Sequence, residues 1–458
     1  MKKEKKKIFV IVGAVVACLA VVYVGFGIFF QSHFCFGTTI DGIKAGGKSV
    51  EKVEQLITEE IDSYVLNLAE REDGSESISG ESIQIAPVFN GEVEELLNGQ
   101  NGFAWVVTLF KHDNLELAKV VTFDEDALDS QIDQLNCMQA SEQREPVDAT
   151  VSAYTADGYS LVPADYGTTI DKNTFKKAVE DSILVLADEL DLDEADCYVK
   201  PEIEDDNEKL LAVIDEMNSY VGTTITYDFD VAKEVLDGER ISEWLSVDDD
   251  LNLVVDEEGV LSFVKELASE YNTCYKPKEL KTSYGSTVTI SNGPYGWKIN
   301  NSEEVAQILD DLKAGKKVER EPVYAQTANS HGENDYGNSY VEINLTAQHL
   351  FLYKDGVLVT ESDFVSGNVA KGHATPGGAF MLTYKTLNAV LRGPDYETPV
   401  TYWMPFNGDI GMHDLTSRKA FGGDIYKTRG SHGCINLPYS AAKKIYETID
   451  KGYPILLY

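Results

Sequence analysis

The chain has 458 residues, of which 43% are hydrophobic and 10% aromatic, so it can build packed cores and is not a wholly disordered protein. At about 150 residues per domain, this length predicts roughly three domains. The net charge of −38 argues against binding to nucleic acid, because a polyanion needs a basic surface.

The N-terminus has the pattern of a membrane anchor. Five lysines in MKKEKKK precede an uncharged stretch, residues 8–30, which as a helix would be about 34 Å long and would cross a hydrocarbon core of about 30 Å. No Lys or Arg follows before Lys44, so we expect a cytoplasmic tail (1–7) and an extracellular remainder. The alternative is a cleaved signal peptide, but its apolar region is usually about 7–15 residues and ends in small residues, which are missing here.

Residues 35–330 alternate short strand patterns with amphipathic helical patterns, which predicts α/β modules. We expect an N-terminal module over 35–120 and two further modules over 121–205 and 206–330. The sequence GTTID occurs at 37–41 and 167–171, and GTTIT occurs at 222–226, each before a helical pattern. The recurrence hints at related modules. In the first, the predicted helix carries Val53, Leu56, Ile57 and Ile61 on one face.

Other motifs in this region indicate no cofactor. GIKAGGKS (42–49) fits a phosphate-binding loop, but it lacks a buried strand before it and lies outside the cell, where ATP is scarce, so we expect no nucleotide. The histidines are scattered, and no zinc-binding spacing occurs, so we expect no metal.

The cysteines leave the redox state open. With Cys18 in the anchor and Cys434 free, four remain that allow three pairings: Cys35, Cys137, Cys197 and Cys274. We prefer Cys137–Cys197, which lie in one predicted module. Reduced, buried thiols fit the sequence equally well.

The last part of the chain, 338–458, differs in charge and in pattern. It contains 11 acidic and 11 basic residues, so the whole net charge lies upstream. Alternating runs predict strand, strand, a Lys-Asp-Gly turn and a further strand, whereas YSAAKKIYETIDKG predicts a late helix with Gly452 as its stop, before a last strand. The fold class is therefore α+β multidomain, with an N-terminal transmembrane helix, α/β modules and a β-rich C-terminal domain.

Cys434, in RGSHGCINLP, has the surroundings of a nucleophile. Gly433 suits a turn whose backbone N–H groups hold an oxyanion. Pro438 suits the start of a helix, whose N-terminus favours the thiolate. Upstream, His413 can serve as the base, held by Asp414 or by an oxygen of Ser431.

The segment IGMHDLTSRKAFGGDIYKTRGSHGCINLP closely resembles the signature of L,D-transpeptidases with a YkuD-like catalytic domain. TPGGAF (375–380) and VTYWMPF (400–406) also resemble family segments, so the similarity covers roughly 338–458. YGWKINNSEEVAQIL and LVPADYGTTIDKNTFKKAV are similar, more loosely, to the peptidoglycan-binding modules that often precede this domain.

The resemblance implies roles for the matching residues. Cys434 would be the nucleophile and His413 its general base, while Ser431 would orient the imidazole. The amides of Gly433 and Cys434 would hold the oxyanion. His432 would either assist proton transfer or only shape the loop.

Four other residues are weaker candidates for substrate binding. Arg429 would meet a substrate carboxylate, Asn436 belongs to the motif, and Tyr402 and Trp403 would line the peptide groove. For Arg429 a solvated loop position is the alternative, and for the two aromatic residues a place in the core.

The expected function is that of a membrane-anchored L,D-transpeptidase that forms 3→3 peptidoglycan cross-links through a cysteine thioester, without a cofactor. Its partners would be a donor tetrapeptide stem and an acceptor amine, and carbapenems would acylate it. One alternative is an L,D-carboxypeptidase that resolves the same thioester with water. The other is a non-catalytic scaffold that binds the cell wall.

Overall fold

The computed structural model describes residues 2–117, 120–332, 334–393 and 396–458. Met1 of the predicted tail and residues 118–119 of the first predicted module lie outside these ranges. The chain divides into two compact units, one formed by residues 1–150 and 161–207 and the other by residues 151–160 and 208–458.

The first unit opens with a long apolar helix, α1 (Lys2–Phe29). Within the described ranges, Lys5–Phe29 is the one helical stretch long and apolar enough to cross a membrane. The turn after it is part of the folded unit, because Phe30 and Phe34 have no exposed surface.

The rest of the first unit is a mixture of short strands and helices around one core. α2 buries Val53, Ile57 and Ile61, three of the four residues predicted for that face. The second GTTI segment forms only an isolated bridge, between Ile170 and Tyr198, instead of a strand. The remaining helices are α2 (Val50–Asp62), α3 (Glu92–Gly99), α4 (Trp105–Thr108), α5 (Glu125–Ile132) and α6 (Lys172–Leu184). The strands up to residue 191 are β1 (Thr38–Ile40), β2 (Ile43–Lys44), β3 (Val65–Ala69), β4 (Ser75–Ser79), β5 (Ala86–Pro87), β6 (Asp113–Leu115), β7 (Val121–Thr122), β8 (Thr150–Val151), β9 (Leu161–Val162) and β10 (Glu189–Asp191).

The preferred disulfide does not form, since Cys137 and Cys197 are both free thiols. Cys197 is fully buried in the core, and its Sγ lies 3.8 Å from the carbonyl oxygen of Ala195. Burial raises the pKa of the Cys197 thiol to about 11. Burial also raises the pKa of Cys137, which lies beside Glu70 and Glu76. Both thiols are therefore held in their protonated form.

The second unit contains a mixed α/β region, residues 208–326, before the domain that carries Cys434. Its central sheet has the order β12-β11-β18, and β11 pairs in parallel with β18. The helices here are α7 (Glu208–Val221), α8 (Gly238–Ser242), α9 (Glu257–Tyr271) and α10 (Asn301–Lys313). The strands are β11 (Thr224–Asp228), β12 (Lys233–Leu236), β13 (Leu245–Val247), β14 (Leu253–Val255), β15 (Lys278–Lys281), β16 (Thr287–Ile290), β17 (Lys298–Ile299), β18 (Lys317–Arg320) and β19 (Tyr324–Gln326).

From residue 340 the chain forms a β-rich domain, as the alternating pattern predicts, and its strands make two sheets around one hydrophobic core. The five-stranded sheet has the order β22-β21-β20-β28-β23, and the four-stranded sheet has the order β24-β25-β26-β27. The strands are β20 (Tyr340–Asn344), β21 (His349–Lys354), β22 (Val357–Asp363), β23 (Gly378–Met381), β24 (Thr386–Gly393), β25 (Tyr396–Asn407), β26 (Ile410–Asp414), β27 (Ile435–Leu437) and β28 (Pro454–Leu457). The helices are α11 (Ile425–Arg429) and the late helix α12 (Tyr439–Thr448), which buries Ala441, Ala442 and Ile445 in this core.

The outer edge of β23 is covered by the segment before β17. The Ala379 N–H donates to the Asn292 carbonyl at 2.7 Å, and the Ala379 carbonyl accepts from the Tyr295 N–H at 3.1 Å. Gly293 has a φ of +126°, and a Cβ there would lie 1.9 Å from the Ala379 oxygen, so only glycine permits this approach. The preceding region therefore closes a sheet edge of the β-rich domain.

Candidate active site

His413 lies near the end of β26 and is almost completely buried, with 4% of its surface exposed. It pairs in register with Trp403 of β25, and the two ring centroids lie 5.9 Å apart. Gly411 makes room for the indole, because a Cβ at this position would lie 2.7 Å from the Trp403 ring. The imidazole therefore sits in a rigid, largely apolar wall.

A backbone carbonyl sets the protonation pattern of this ring. His413 Nδ1 lies 2.9 Å from the carbonyl oxygen of Asp414. A carbonyl only accepts, so Nδ1 carries the proton and Nε2 of the neutral ring is left as the proton acceptor. Burial lowers the pKa of His413 below its ordinary value, against the opposing effect of Asp414. The ring is therefore a neutral base at neutral pH.

The carboxylate of Asp414 does not hold the imidazole, which corrects one of the two predicted partners. Its Oδ1 accepts the backbone N–H groups of Thr401 and Tyr402, both at 2.8 Å. The side chain therefore joins β26 to β25, and only the main chain of Asp414 contacts the ring. The predicted residue is present, but a different atom of it orients the base.

The pairing of β26 with β27 brings His413 and Cys434 together. The strands are parallel, with Met412 opposite Ile435 and His413 opposite Asn436. Cys434 comes directly before β27, and its Sγ contacts the Asp409 carbonyl and the backbone N–H of Gly411. The thiol therefore lies beside Gly411, two residues before His413 on β26.

The environment of Cys434 favours the thiol, not the predicted thiolate. Its Sγ donates to the Asp409 carbonyl at 3.5 Å. Burial is the main cause that raises its pKa above the ordinary value of 9.0, and it outweighs the backbone N–H of Gly411, which favours the anion. The expected help from a helix N-terminus is missing, because Cys434 runs into β27 and α12 begins only at Tyr439.

Ser431 supports the cysteine loop instead of the imidazole, which corrects its predicted contact. Its hydroxyl donates to the Cys434 carbonyl at 2.6 Å and accepts the Gly433 N–H at 3.0 Å. That bond commits the Gly433 amide, one of the two predicted oxyanion donors. The Cys434 N–H has no hydrogen-bond partner within the described ranges, so it remains as the donor that can face an oxyanion.

Residues that sequence reasoning missed clamp this loop from the other side. The Ser431 N–H donates to the Ser366 carbonyl, and the Ser431 carbonyl accepts from the Asn368 N–H. Thr375, 7% exposed, donates from Oγ1 to the Gly433 carbonyl at 2.6 Å and accepts the Gly367 N–H at 2.9 Å. The TPGGAF segment was the one available signal, and its threonine holds the turn before the nucleophile.

His432 follows the clamped serine and is exposed. Its ring lies 4.9 Å from the ring of His373, centroid to centroid. His373 was not predicted. The two imidazoles therefore lie next to each other beside the loop that carries Cys434.

Two of the four candidates for substrate binding are buried away from a groove. Tyr402 packs on the rings of Tyr439 and Tyr446 in the core, and its hydrogen bond to Tyr439 is the main cause that raises its pKa to about 12. Asn436 is 3% exposed, because β27 is covered on both faces. Both side chains are packed inside the domain, so their contact with a peptide stays a prediction.

The other two candidates remain near the cysteine loop. Trp403 is also buried, with 6% of its surface exposed; it packs beside His413, and its indole N–H donates to the Tyr384 hydroxyl at 3.3 Å. Arg429 is exposed and lines an open cleft of about 470 Å³ together with Arg418 and Lys419. Arg418 donates to the Arg429 carbonyl at 2.9 Å, while its Nε is buried without a partner within the described ranges. In a chain of net charge −38, this cleft is lined by cations.

Comparisons with known proteins identify the region that contains this site. Residues 338–457 match the family model described as "L,D-transpeptidase catalytic domain", and residues 206–320 match the model described as "Putative peptidoglycan binding domain". A Cys-to-Ser mutant of the Enterococcus faecium L,D-transpeptidase is 32% identical over 54% of this chain and 99% of its own, with a TM-score of 0.45. The chain belongs to the L,D-transpeptidase family.

Further solved structures carry the same family name. The catalytic domain of the E. faecium L,D-transpeptidase, acylated by ertapenem, is 43% identical over 26% of this chain and 96% of its own, with a TM-score of 0.25. An L,D-transpeptidase from Stackebrandtia nassauensis is 30% identical over 26% of this chain and 55% of its own, with a TM-score of 0.23. No curated protein sequence matches the chain.

One cluster outside the L,D-transpeptidase domain has the composition of a metal site. Ligand atoms of Glu70, Glu76 and Cys137 lie within 4.8 Å of one another. The Glu76 carboxylate already accepts the backbone N–H groups of Asn136 and Cys137, both at 2.8 Å. Burial raises the pKa of the Cys137 thiol, so the protonated form that binds metal poorly is favoured.

The raised pKa of Cys434 predicts a slow reaction of the resting thiol with a neutral alkylating agent. The rate of alkylation by iodoacetamide, followed by mass spectrometry of the Cys434 peptide, should rise with pH and reach its midpoint above 9.0. The reason is that only the thiolate attacks, and burial raises the pH at which the thiolate forms. A plateau that is already reached at neutral pH would show a preformed thiolate–imidazolium pair instead.

The clamp predicts that Thr375 matters for the chemistry although it lies 59 positions before Cys434 in the chain. Thr375→Val keeps the shape but removes the hydroxyl that holds the Gly433 carbonyl and the Gly367 N–H, so the loop shifts. Acylation of Cys434 by a carbapenem should slow by about 10²-fold, the effect of a small misplacement of reacting groups. Thr375→Ser keeps both hydrogen bonds and should react nearly as the parent does; equal rates for the two variants would contradict the clamp.

Proposed function

We propose that the chain is a membrane-anchored L,D-transpeptidase that forms 3→3 cross-links in peptidoglycan through a thioester on Cys434. The observation that carries the proposal is the pairing of β26 with β27, which sets Cys434 and a neutral, Nδ1-protonated His413 next to each other along two neighbouring chain segments. The family membership of residues 338–457 supplies the substrate class.

The first half of the reaction is acylation of the enzyme. The Cys434 sulfur attacks the carbonyl carbon between the third residue of the donor stem and its terminal D-alanine, while His413 Nε2 takes the thiol proton. The tetrahedral intermediate then collapses, the C–N bond breaks, and the imidazolium gives its proton to the departing amine of D-alanine. The energy of the peptide bond is kept in the thioester, so the reaction needs no nucleotide.

The Cys434 amide is the donor that serves the oxyanion of this intermediate. Among the residues that the structure describes, its N–H has no hydrogen-bond partner, whereas the Gly433 N–H is bonded to Ser431. A preorganised donor of this kind costs no rearrangement when charge develops on the oxygen. Ser431 and Thr375 then act as positioning residues, because they hold the turn that aims this N–H.

The second half transfers the acyl group to an amine of a neighbouring stem. That amine attacks the thioester carbonyl and loses a proton to His413 Nε2, and the proton returns to the Cys434 sulfur as the C–S bond breaks. Burial suits this step, because His413 is 4% exposed and its low pKa keeps it ready as a base between turnovers. Attack by water in place of the amine would give the carboxypeptidase reaction.

The apolar helix is proposed to remain as the membrane anchor. The residues that follow it belong to the core of the first unit, since Phe30 and Phe34 are fully buried. Gln100 donates from Nε2 to the carbonyls of Phe30 and His33, both at 2.6 Å, and its Oε1 accepts the Cys35 N–H. Cleavage near the end of α1 would remove part of this packing. With the anchor retained, the catalytic domain would lie on the outer side of the membrane, facing the cell wall.

The cationic cleft of Arg418 and Arg429 is proposed to bind a carboxylate of the stem peptide. Arg429 lies five positions before Cys434, and Arg418 is tied to it through the Arg429 carbonyl. Guanidinium groups suit carboxylates because their N–H donors match the two oxygens. Burial lowers the pKa of Arg418, and the like charge of Arg429 lowers it further, so an anion there is favoured.

The proposed reaction predicts the products of the full chain acting on a disaccharide-tetrapeptide. The parent should form cross-linked dimers, Cys434→Ala should form none, and His413→Ala should be slower by about 10²–10⁴-fold because the base is lost. Products are separated by chromatography and identified by mass spectrometry. Cys274→Ala, which removes a thiol outside the site, is the matched control and should cross-link as the parent does.

The same assay separates the alternatives. Tripeptides without dimers would show that water resolves the thioester, and unchanged substrate with the parent would favour a scaffold. Cross-links made by Cys434→Ala would contradict the nucleophile assignment.

The cleft predicts a charge-dependent loss in Arg418→Gln. With a donor stem that ends in a free carboxylate, KM should rise roughly 10–100-fold, the range for one lost hydrogen bond to a charged group. Two further substrates show which carboxylate the cleft binds: a donor stem that ends in an amide, and an acceptor stem whose carboxylates are amidated. The effect of Arg418→Gln on KM should disappear with the substrate that lacks the carboxylate bound by Arg418. Lys427→Gln is the control: it removes an exposed cation already paired with Asp424 and should leave the KM for donor and for acceptor unchanged. If Arg418→Gln raises KM equally for all these substrates, the cleft does not bind a stem carboxylate.

A further inference from the structure

A second apolar surface lies in the first unit, beside the anchor. Residues 101–110, NGFAWVVTLF, contain no charged side chain and run from just after α3 through α4. Their large side chains are unusually exposed: Phe103 38%, Val106 39%, Val107 60%, Leu109 47% and Phe110 87%. We call residues 102–110 the apolar loop. Such a contiguous patch on a folded unit marks an interaction surface.

The apolar loop is attached to the outer end of α1 through a close approach of two glycines. A Cβ at Gly27 would lie 2.3 Å from the Phe103 ring, and a Cβ at Gly102 would lie 2.9 Å from the Gly27 carbonyl oxygen. Each glycine therefore lets the other segment approach where a side chain would block it. The loop is held against the helix by its backbone.

Hydrogen bonds and rings complete this attachment. The Tyr23 hydroxyl donates to the Phe103 carbonyl at 2.7 Å, and the Trp105 indole N–H donates to the Tyr23 carbonyl at 3.1 Å. The Trp105 ring also lies 4.9 Å from the ring of Phe26, centroid to centroid. The apolar loop thus follows the last two turns of α1, and Trp105 and Thr108 also contact the residues just after the helix.

The length of α1 places these turns near the membrane surface. The stretch Lys5–Phe29 has 25 residues and is about 38 Å long, against a hydrocarbon core of about 30 Å. The excess is about 4 Å at each end, so only about the last three residues of α1 reach the interfacial layer, where tyrosine and tryptophan are enriched, and Tyr23 and Phe26 lie in the turns just below it. The apolar loop is packed on the helix at this depth.

We propose that the apolar loop inserts into the outer interfacial layer of the bilayer that α1 crosses, as a second membrane contact of the first unit. The proposal rests on the membrane anchoring under the proposed function. The occupant of the exposed patch is lipid, because the patch continues the surface of the anchor and carries no charge. The next charged residue, Lys111, is paired with Asp113 at 2.7 Å and lies where headgroups begin. Two contacts in place of one fix the rotation of the first unit about the helix axis.

Quenching of tryptophan fluorescence by brominated phosphatidylcholine tests this proposal on the full chain in liposomes. Phe110→Trp places a probe at the tip of the apolar loop, and Val15→Trp places one inside the anchor. Val185→Trp is the matched control, an exposed valine of the same unit outside the loop, with 74% of its surface exposed. The emission of the parent chain, with its four tryptophans, is subtracted.

The proposal expects the added emission to be lost at positions 110 and 15 and retained at position 185. Bromines near the headgroup end of the acyl chains should quench position 110 more strongly than bromines near the chain ends. If position 15 is quenched but position 110 behaves as position 185 does, the apolar loop does not enter the bilayer. If position 15 is not quenched, the anchor itself is wrong and the inference falls with it.

Discussion

One hydrogen bond, from His413 Nδ1 to the Asp414 carbonyl, determines what the active site can do. It selects the tautomer in which Nε2 accepts a proton, and burial keeps the ring neutral. The parallel pairing of β26 with β27 then sets His413 and the Cys434 loop side by side. Both groups are therefore uncharged at rest, and in the proposed reaction charge separates only when the thiol attacks substrate.

The residue types of the site could be predicted from the sequence, but the atoms that act could not. Cys434 and His413 stand out because the motif and its spacing are specific. Asp414 orients the base through its main chain, and Ser431 holds the turn instead of the ring; both facts depend on backbone geometry that side-chain chemistry does not encode. Strand alternation separates Tyr402 from Trp403, since neighbouring residues face opposite sides of a sheet. That signal was available before the structure.

The fold could be predicted where the hydrophobic periodicity is strong, but not where it depends on contacts between residues far apart in the sequence. The strands after residue 340, the turn at Lys354–Gly356 and helix α12 follow directly from alternation, turn residues and helical spacing. The clamp of Ser366, Asn368 and Thr375 on the cysteine loop joins residues about 60 positions apart. No pattern of neighbouring residues in the sequence predicts such pairs. The role of the apolar loop could not be predicted from the sequence for the same reason, because it depends on contacts with Tyr23 and Gly27, which lie far from the loop in the chain.

The proposed mechanism depends on the neutral, Nδ1-protonated state of His413 beside a protonated thiol. Nitrogen NMR of the full chain with isotope-labelled histidine measures this state directly, and the spectrum of His413→Gln identifies the signal among seven histidines. The neutral ring should show one protonated and one unprotonated nitrogen at neutral pH. Two protonated nitrogens, together with an ionised Cys434, would contradict the proposed mechanism.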